Sequence, residues 1–257
     1  MTKTISENGI IGTSADFGLE IAKGNIKNYS SEFKFARNED ITSTEQVIWD
    51  AGGDYVWLDT AEKMLITSSS GLDVFDGTGA RTGVIFGLDN DYEQISELFT
   101  FTGATPVLTD NSYLRVHRVL VLTSGTNSAV TDANKGIINV KGAVSTAVTF
   151  AQIKIGHGQT LMSPYTIPAG KTGYITGASF SAGEGKQCTF RGKIRNTPTS
   201  DGSFSIKYIL DLFGSAFTAS FTVPLKVPEK TDMCFTGQTT QTSIDASASY
   251  GIILIDN

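Results

Sequence analysis

Histidine supplies most acid–base chemistry near neutral pH, and this 257-residue chain holds two, His117 and His157. His117 lies in an apolar run beside Arg115 and Arg118, and His157 sits between glycines in Gly156-His-Gly158. Neither has another histidine or a cysteine close by in sequence, so a zinc-type site would need carboxylates supplied by the fold; both are read as structural. In Asp89-Asn-Asp-Tyr-Glu93 the carboxylates alternate as in an oxygen-ligand calcium loop. The glycine at the sixth loop position and the glutamate at the twelfth are missing, and a polar turn between strands accounts for the segment. The spaced glycines of Asp76-Gly-Thr-Gly-Ala-Arg-Thr-Gly83 suggest a phosphate loop, but Thr82–Phe86 continues as a strand where that loop needs a helix N-terminus. Gly-x-Ser-x-Gly, His-Glu-x-x-His and the P-loop lysine signature are absent. Paired carboxylates assembled from distant strands are left unmotivated. The expectation is a non-enzymatic protein with no catalytic, cofactor-binding or metal residues and no cofactor.

Three further groups have a chemical and a bland reading. Cys188 and Cys234 both fall in strand-like runs, where a buried free thiol is the default and a disulfide needs neighbouring strands. Trp49, Tyr55 and Trp57 could stack on sugars or pack a core, and the spacing favours core. Arg191, Lys193 and Arg195 share one face of a strand, which is read as facing solvent with an acidic neighbour as the alternative.

Short β-elements must position all of these. Gln46–Trp49 and Tyr55–Leu58 flank Ala51-Gly-Gly-Asp54 as a hairpin signal, followed by runs at Lys63–Thr67, Leu72–Phe75, Thr82–Phe86, Gln94–Phe101, Tyr113–Leu122 and Gly136–Val140. The C-terminal part alternates more clearly. Cys188, Phe190 and Ile194 share one face of Gln187–Arg195, and the same alternation returns at Phe204–Leu212, Phe217–Val223, Met233–Phe235 and Ala246–Leu254. Strands with one apolar face require a second sheet to cover it. Pro168, Pro224 and Pro228 are placed between strands because proline cannot donate to a central ladder. The expected fold is all-β, with two jelly-roll-like β-sandwich domains at 46–142 and 143–257 behind an extended N-terminal arm at 1–45.

Composition sets the class. Apolar residues are 40% and charged residues 18%, so the chain folds, and the low charge density suits a surface partly covered by partners. A net charge of −6 without a Lys/Arg cluster gives no footprint for nucleic acid. No window approaches a membrane span, and the N-terminus shows no cleavage signal, so neither a membrane nor secretion is expected.

The run Ser163-Pro-Tyr-Thr-Ile-Pro-Ala-Gly-Lys-Thr-Gly-Tyr-Ile-Thr-Gly177 resembles a pattern in virion proteins of marine and environmental tailed phages. Gln159–Met162, Gly183–Gly192, Val223–Asp232 and Ile252–Asn257 share the resemblance, as do Phe75–Arg81 and Leu114–Val119, so that it spans about residues 47–257. It implies an all-β particle component and transfers no catalytic residue. The resulting expectation is a virion protein assembled in the host cytoplasm, acting as a capsid decoration (cement) or head-fibre protein that attaches through its N-terminal arm. Its partners are copies of itself, a trimer by analogy, and the major capsid protein. The alternative is a tail or baseplate protein that binds host glycan.

Overall fold

The structure, a computed structural model, describes residues 17–125, 133–183, 185–195, 202–214 and 216–257, together with the backbone of 4–7 and 10–13. In chain order the elements are β1 (Thr4–Glu7), β2 (Ile10–Thr13), α1 (Phe17–Ala22), β3 (Tyr29–Ile41), β4 (Gln46–Val47), β5 (Glu62–Ser68), β6 (Ala80–Leu88), β7 (Gln94–Thr100) and β8 (Val107–Tyr113). They continue as β9 (Arg115–Ser124), β10 (Ile138–Gly142), β11 (Thr149–Ile153), β12 (Tyr165–Thr166), β13 (Lys171–Ala182) and β14 (Gln187–Arg195). The last are β15 (Ser205–Phe213), β16 (Ala216–Val227), β17 (Asp232–Gln238) and β18 (Ile244–Asp256). The protein is all-β, with antiparallel sheets that pack as sandwiches.

One sheet runs β16-β13-β18-β3; the other runs β17-β14-β15, with β12 and β4 sharing the free side of β17. Counting β3, β4 and β13–β18 as eight strands in chain order, the first sheet is 6-3-8-1 and the second 2-7-4-5. Consecutive strands thus switch sheets, except the fourth and fifth, which pair as neighbours, as in a jelly roll. Alternation decides which side chains fill it: Phe180 of β13 packs on Phe190, and edge-on against Phe235 at 5.1 Å, with Ile252 and Leu254 of β18 in the same core. Burying one such phenylalanine fully is worth about 1.5–3 kcal/mol.

The second sandwich is inserted between the second and third jelly-roll strands. It pairs a sheet β11-β10-β5-β8 with a sheet β7-β6-β9, around Met64, Ile85, Phe101, Val119, Ile138 and Phe150. Its core continues into Trp49, Met162 and Cys234, so it rests on the outer face of β17. That strand is consequently buried on both faces from Asp232 to Gly237.

Several sequence expectations are corrected here. Residues 29–41, assigned to the arm, form β3 and pair along their length with β18, burying Ala36 and Ile41. Polar residues at 30–32 and 37–40 masked the strand because its outer side is wet. The boundary at 142/143 separates β10 from β11, which are paired in one sheet; an inserted unit has two crossings, and a single composition shift cannot mark both. Tyr55–Leu58 is irregular, and Gly52 and Gly53 at φ 70° and 68° make a tight turn in place of a hairpin. Leu72–Phe75 is also a turn. Pro224 lies inside β16, at a break where Ile175 faces Leu225 and Gly177 faces Ser220, on an edge strand that needs no donor there. Deletion of residues 1–45 therefore removes a sheet strand as well as a leading segment.

Candidate functional site

Two arrangements at the surface of the jelly roll stand apart from ordinary packing: its junction with the inserted sandwich, and the open side formed by β15 and β16.

At the junction, Asp232 of β17 accepts from both guanidiniums of an arginine pair. Arg115, at the start of β9, donates from Nε at 2.9 Å and from Nη2 at 3.0 Å; Arg195, the last residue of β14, donates from Nη2 at 2.5 Å. Thr166 Oγ1 adds a bond of 2.5 Å, and Arg115 Nη1 donates to the Leu58 carbonyl at 2.6 Å. All three ionic side chains are buried. Trp57 lies beneath both guanidiniums, 5.3 and 5.5 Å from their centres, and touches Phe204. The aromatic cluster of Trp49, Tyr55 and Trp57 is thus edge-to-face core packing under a cationic cover. Such a cluster holds two units in one register; it offers no free group for chemistry.

Beside it is a half-open cleft of about 480 Å³ between β3 and the sheet containing β6, β7 and β9. Lys34, His117, Gly87 and Tyr165 form its buried part; Phe86, Gln94 and Ser96 are on its exposed rim, with Glu32 and Arg118 between. Lys34 Nζ donates to the His117 carbonyl at 2.5 Å and has no ion-pair partner among the described residues. Burial, aided by Arg118, pushes its ammonium down to about 7. His117 Nε2 accepts from the Thr166 amide at 3.2 Å, and burial next to Lys34 holds the ring well below the ordinary histidine range, hence neutral. The Tyr165 hydroxyl is buried, with no hydrogen-bond partner among the described residues.

On the open side, β15 ends one jelly-roll sheet and β16 ends the other. Tyr208 and Phe221 face each other across the gap, ring centroids 5.9 Å apart. Outside them, Ile206, Ile209, Phe213, Phe217 and Val223 are exposed, Phe213 to 76% and Val223 to 83%. Large apolar side chains on neighbouring open edges are what soluble proteins ordinarily avoid.

The remaining sequence candidates resolve as follows. Asp89 closes a turn by accepting from the amides of Asp91 and Glu93 at 2.9 and 3.0 Å. His157 Nδ1 is 3.7 Å from Asp50 Oδ1, and burial raises the Asp50 carboxyl. Cys188 belongs to the jelly-roll core and Cys234 to the core on the other side of the sheet, both free. Burial pushes them up to about 11 and 12, which makes them inert thiols. The basic face does not meet solvent as expected: Arg191 and Lys193 reach Glu45 at 3.6 and 2.5 Å, and Arg195 is buried on Asp232. Sequence reasoning missed Asp73, whose carboxylate accepts from the amides of Ala80, Lys135 and Gly136 and from Ser68 Oγ, tying together two loops and two strands. An aspartate amid Ser and Gly was its only signal.

No protein-family model matches the chain, and no curated protein does. Among solved structures, the infectious bursal disease virus VP2 subviral particle aligns at 9% identity over 90% of this chain and 73% of that one, with a TM-score of 0.21. Vicilin from Corylus avellana (hazelnut) aligns at 8% over 89% and 76%, TM-score 0.14. A bacterial lipoprotein from Bacteroides thetaiotaomicron aligns at 9% over 86% and 100%, TM-score 0.14. The viral likeness is weak, and none of these superpositions carries an argument; the fold class rests on the strand order itself. Among the described residues, no helix is long and apolar enough to cross a membrane.

Proposed function

We propose that this chain is a non-enzymatic structural component of a tailed-phage virion, a capsid-associated decoration or head-fibre protein whose partners are copies of itself and the major capsid protein. The observation that carries the reading is the open β15–β16 side, together with the sequence of β15. If β15 pairs antiparallel with its own copy about a two-fold axis through Ile209, Lys207 falls opposite Asp211 of the partner subunit, and the reverse. Ile209 then meets its own copy, and the outward Phe213 is covered. The edge is self-complementary in charge and apolar character. This favours a two-fold contact over the trimer suggested by analogy.

A charge-swap series tests it by sedimentation velocity. Asp211→Lys alone sets lysine against lysine and is expected to give monomers, as is Lys207→Asp. The double variant exchanges the signs and is expected to restore association. A double variant no more associated than the singles, or a wild-type chain that stays monomeric at high concentration, overturns the contact. Gold labelling of the protein on intact particles tests the location, which is expected over the head. Label confined to the tail would favour the alternative of host-surface polysaccharide binding, for which the junction cleft is the supporting feature.

A further inference from the structure

We propose that the cleft between β3 and the β7-β6-β9 sheet binds a carboxylate-bearing sugar, with the carboxylate at Lys34 and the ring against Phe86.

Lys34 leaves a polar demand unmet. A buried cation is ordinarily paired, because a charge withdrawn from water costs several kcal/mol unless another charge or several hydrogen bonds replace the solvent. Lys34 Nζ has one carbonyl, His117 O, and stands 5.8 Å from the centre of the Tyr165 ring. Both residues line one cavity. A carboxylate placed there accepts from the ammonium, a charge-assisted bond that neither water nor a neutral hydroxyl matches in strength.

The rest of the cleft selects the body attached to that carboxylate. With His117 neutral, the lining charges are Lys34, Arg118 and Glu32, a surplus of one cation that a single carboxylate neutralises. Arg118 also donates to the Phe33 carbonyl, which fixes its guanidinium at the rim. Glu32, Gln94 and Ser96 present acceptors and donors suited to hydroxyl groups, while Phe86, Ile95 and Leu120 present apolar surface. An aromatic face beside polar side chains, over a cationic floor, fits a polyhydroxylated ring carrying an acid. A cavity of about 480 Å³ has room for one or two sugar units. A fatty acid would leave the polar rim unpaired, and a dianionic phosphate would exceed the single surplus cation. The inference is independent of the two-fold contact, since β15 and β16 contribute nothing to the cleft.

Isothermal titration with glucuronic acid, glucose and acetate at pH 6 tests it on the full chain. Saturable binding of glucuronic acid is expected, at least tenfold tighter than glucose or acetate. Lys34→Met is expected to weaken glucuronic acid at least fivefold while leaving glucose unchanged, and Tyr165→Phe, which alters only a sealed hydroxyl, is expected to leave both unchanged, with near-ultraviolet circular dichroism confirming the fold. Affinity is expected to fall between pH 6 and 9, as the Lys34 ammonium, flanked by Arg118, Glu32 and His117, gives up its proton. Glucose or acetate binding as tightly as glucuronic acid, no saturable binding at tens of millimolar, or full retention in folded Lys34→Met would each overturn the assignment.

Discussion

Two clusters on the same outer sheet face have the same balance of charges and different exposure. Asp232 holds Arg115 and Arg195 with side chains at most 4% exposed, whereas Glu45 holds Arg191 and Lys193 with side chains 19–29% exposed. Both are one carboxylate between two cations, and both take a cation from β14. Arg191, Lys193 and Arg195 alternate along that strand, so a few residues carry the chain from a half-wet ion cluster to one sealed beneath the inserted sandwich. Farther from the insertion, Thr189 on the same face hydrogen-bonds Asp211 of β15 in the open. The local sequence of a strand sets which residues share a face; what covers that face is decided by the separate unit inserted between β4 and β13.

The largest effect that tests this contrast comes from Asp232→Ala. Removing the carboxylate leaves two guanidiniums sealed without a counter-charge, and a loss of about 3–5 kcal/mol is expected in urea unfolding. A loss below about 1 kcal/mol would mean that water reaches the arginines and that the two clusters differ little. Because Arg115 belongs to the inserted sandwich and Asp232 to the jelly roll, the two units are expected to separate before either unfolds, giving a transition that fluorescence from Trp57 senses first.

The sequence made the all-β class legible, along with the alternation of β14, β15 and β18, because one face of each carries phenylalanine, leucine and isoleucine at a period of two. It misled where a strand is covered on both faces or on neither. Asp232 and Thr236 give β17 a half-polar pattern, although both are buried. β15 is richer in large apolar residues and is the exposed one. Arg195 follows the outward alternation of Arg191 and Lys193 and still ends up sealed, since the insertion that covers it is invisible in a nine-residue window. The cleft was likewise illegible: Lys34 sits among Phe33, Phe35 and Arg37 in a segment with no strong period, and it meets Tyr165 only through the fold.

An intermediate effect of opposite sign is expected from Lys34→Met. The folded lysine titrates near 7, below the ordinary 10.5, because it is buried near Arg118. A depressed group contributes stability above its unfolded value and loses it as pH falls through the folded one, so the wild type pays the full cost of a buried charge below pH 7. The variant is expected to be about 1–3 kcal/mol more stable at pH 6, by thermal unfolding, and that gain should shrink as pH rises from 7 to 10.5. A constant gain across that range would assign it to packing alone.

The smallest effect belongs to Glu45→Gln. Burial pushes the Glu45 carboxyl up, but the hydrogen bonds from Lys193 and Thr236, with the charges of Lys193 and Arg191, outweigh it and hold the group below the usual glutamate value. Its contribution is therefore present above the unfolded carboxylate range and is lost as pH falls through the folded value. Water still reaches this cluster and screens it, so the variant is expected to lose less than about 1 kcal/mol at pH 7. The difference from wild type should close as pH falls through the folded value, where the wild-type carboxyl is protonated as well. Added salt should erode it further, while the Asp232→Ala loss stays nearly unchanged, because ions screen an exposed pair and cannot enter a sealed one. Equal salt sensitivity in the two variants would remove the distinction between the clusters, and with it the case that the inserted sandwich seals the Asp232 end of the sheet.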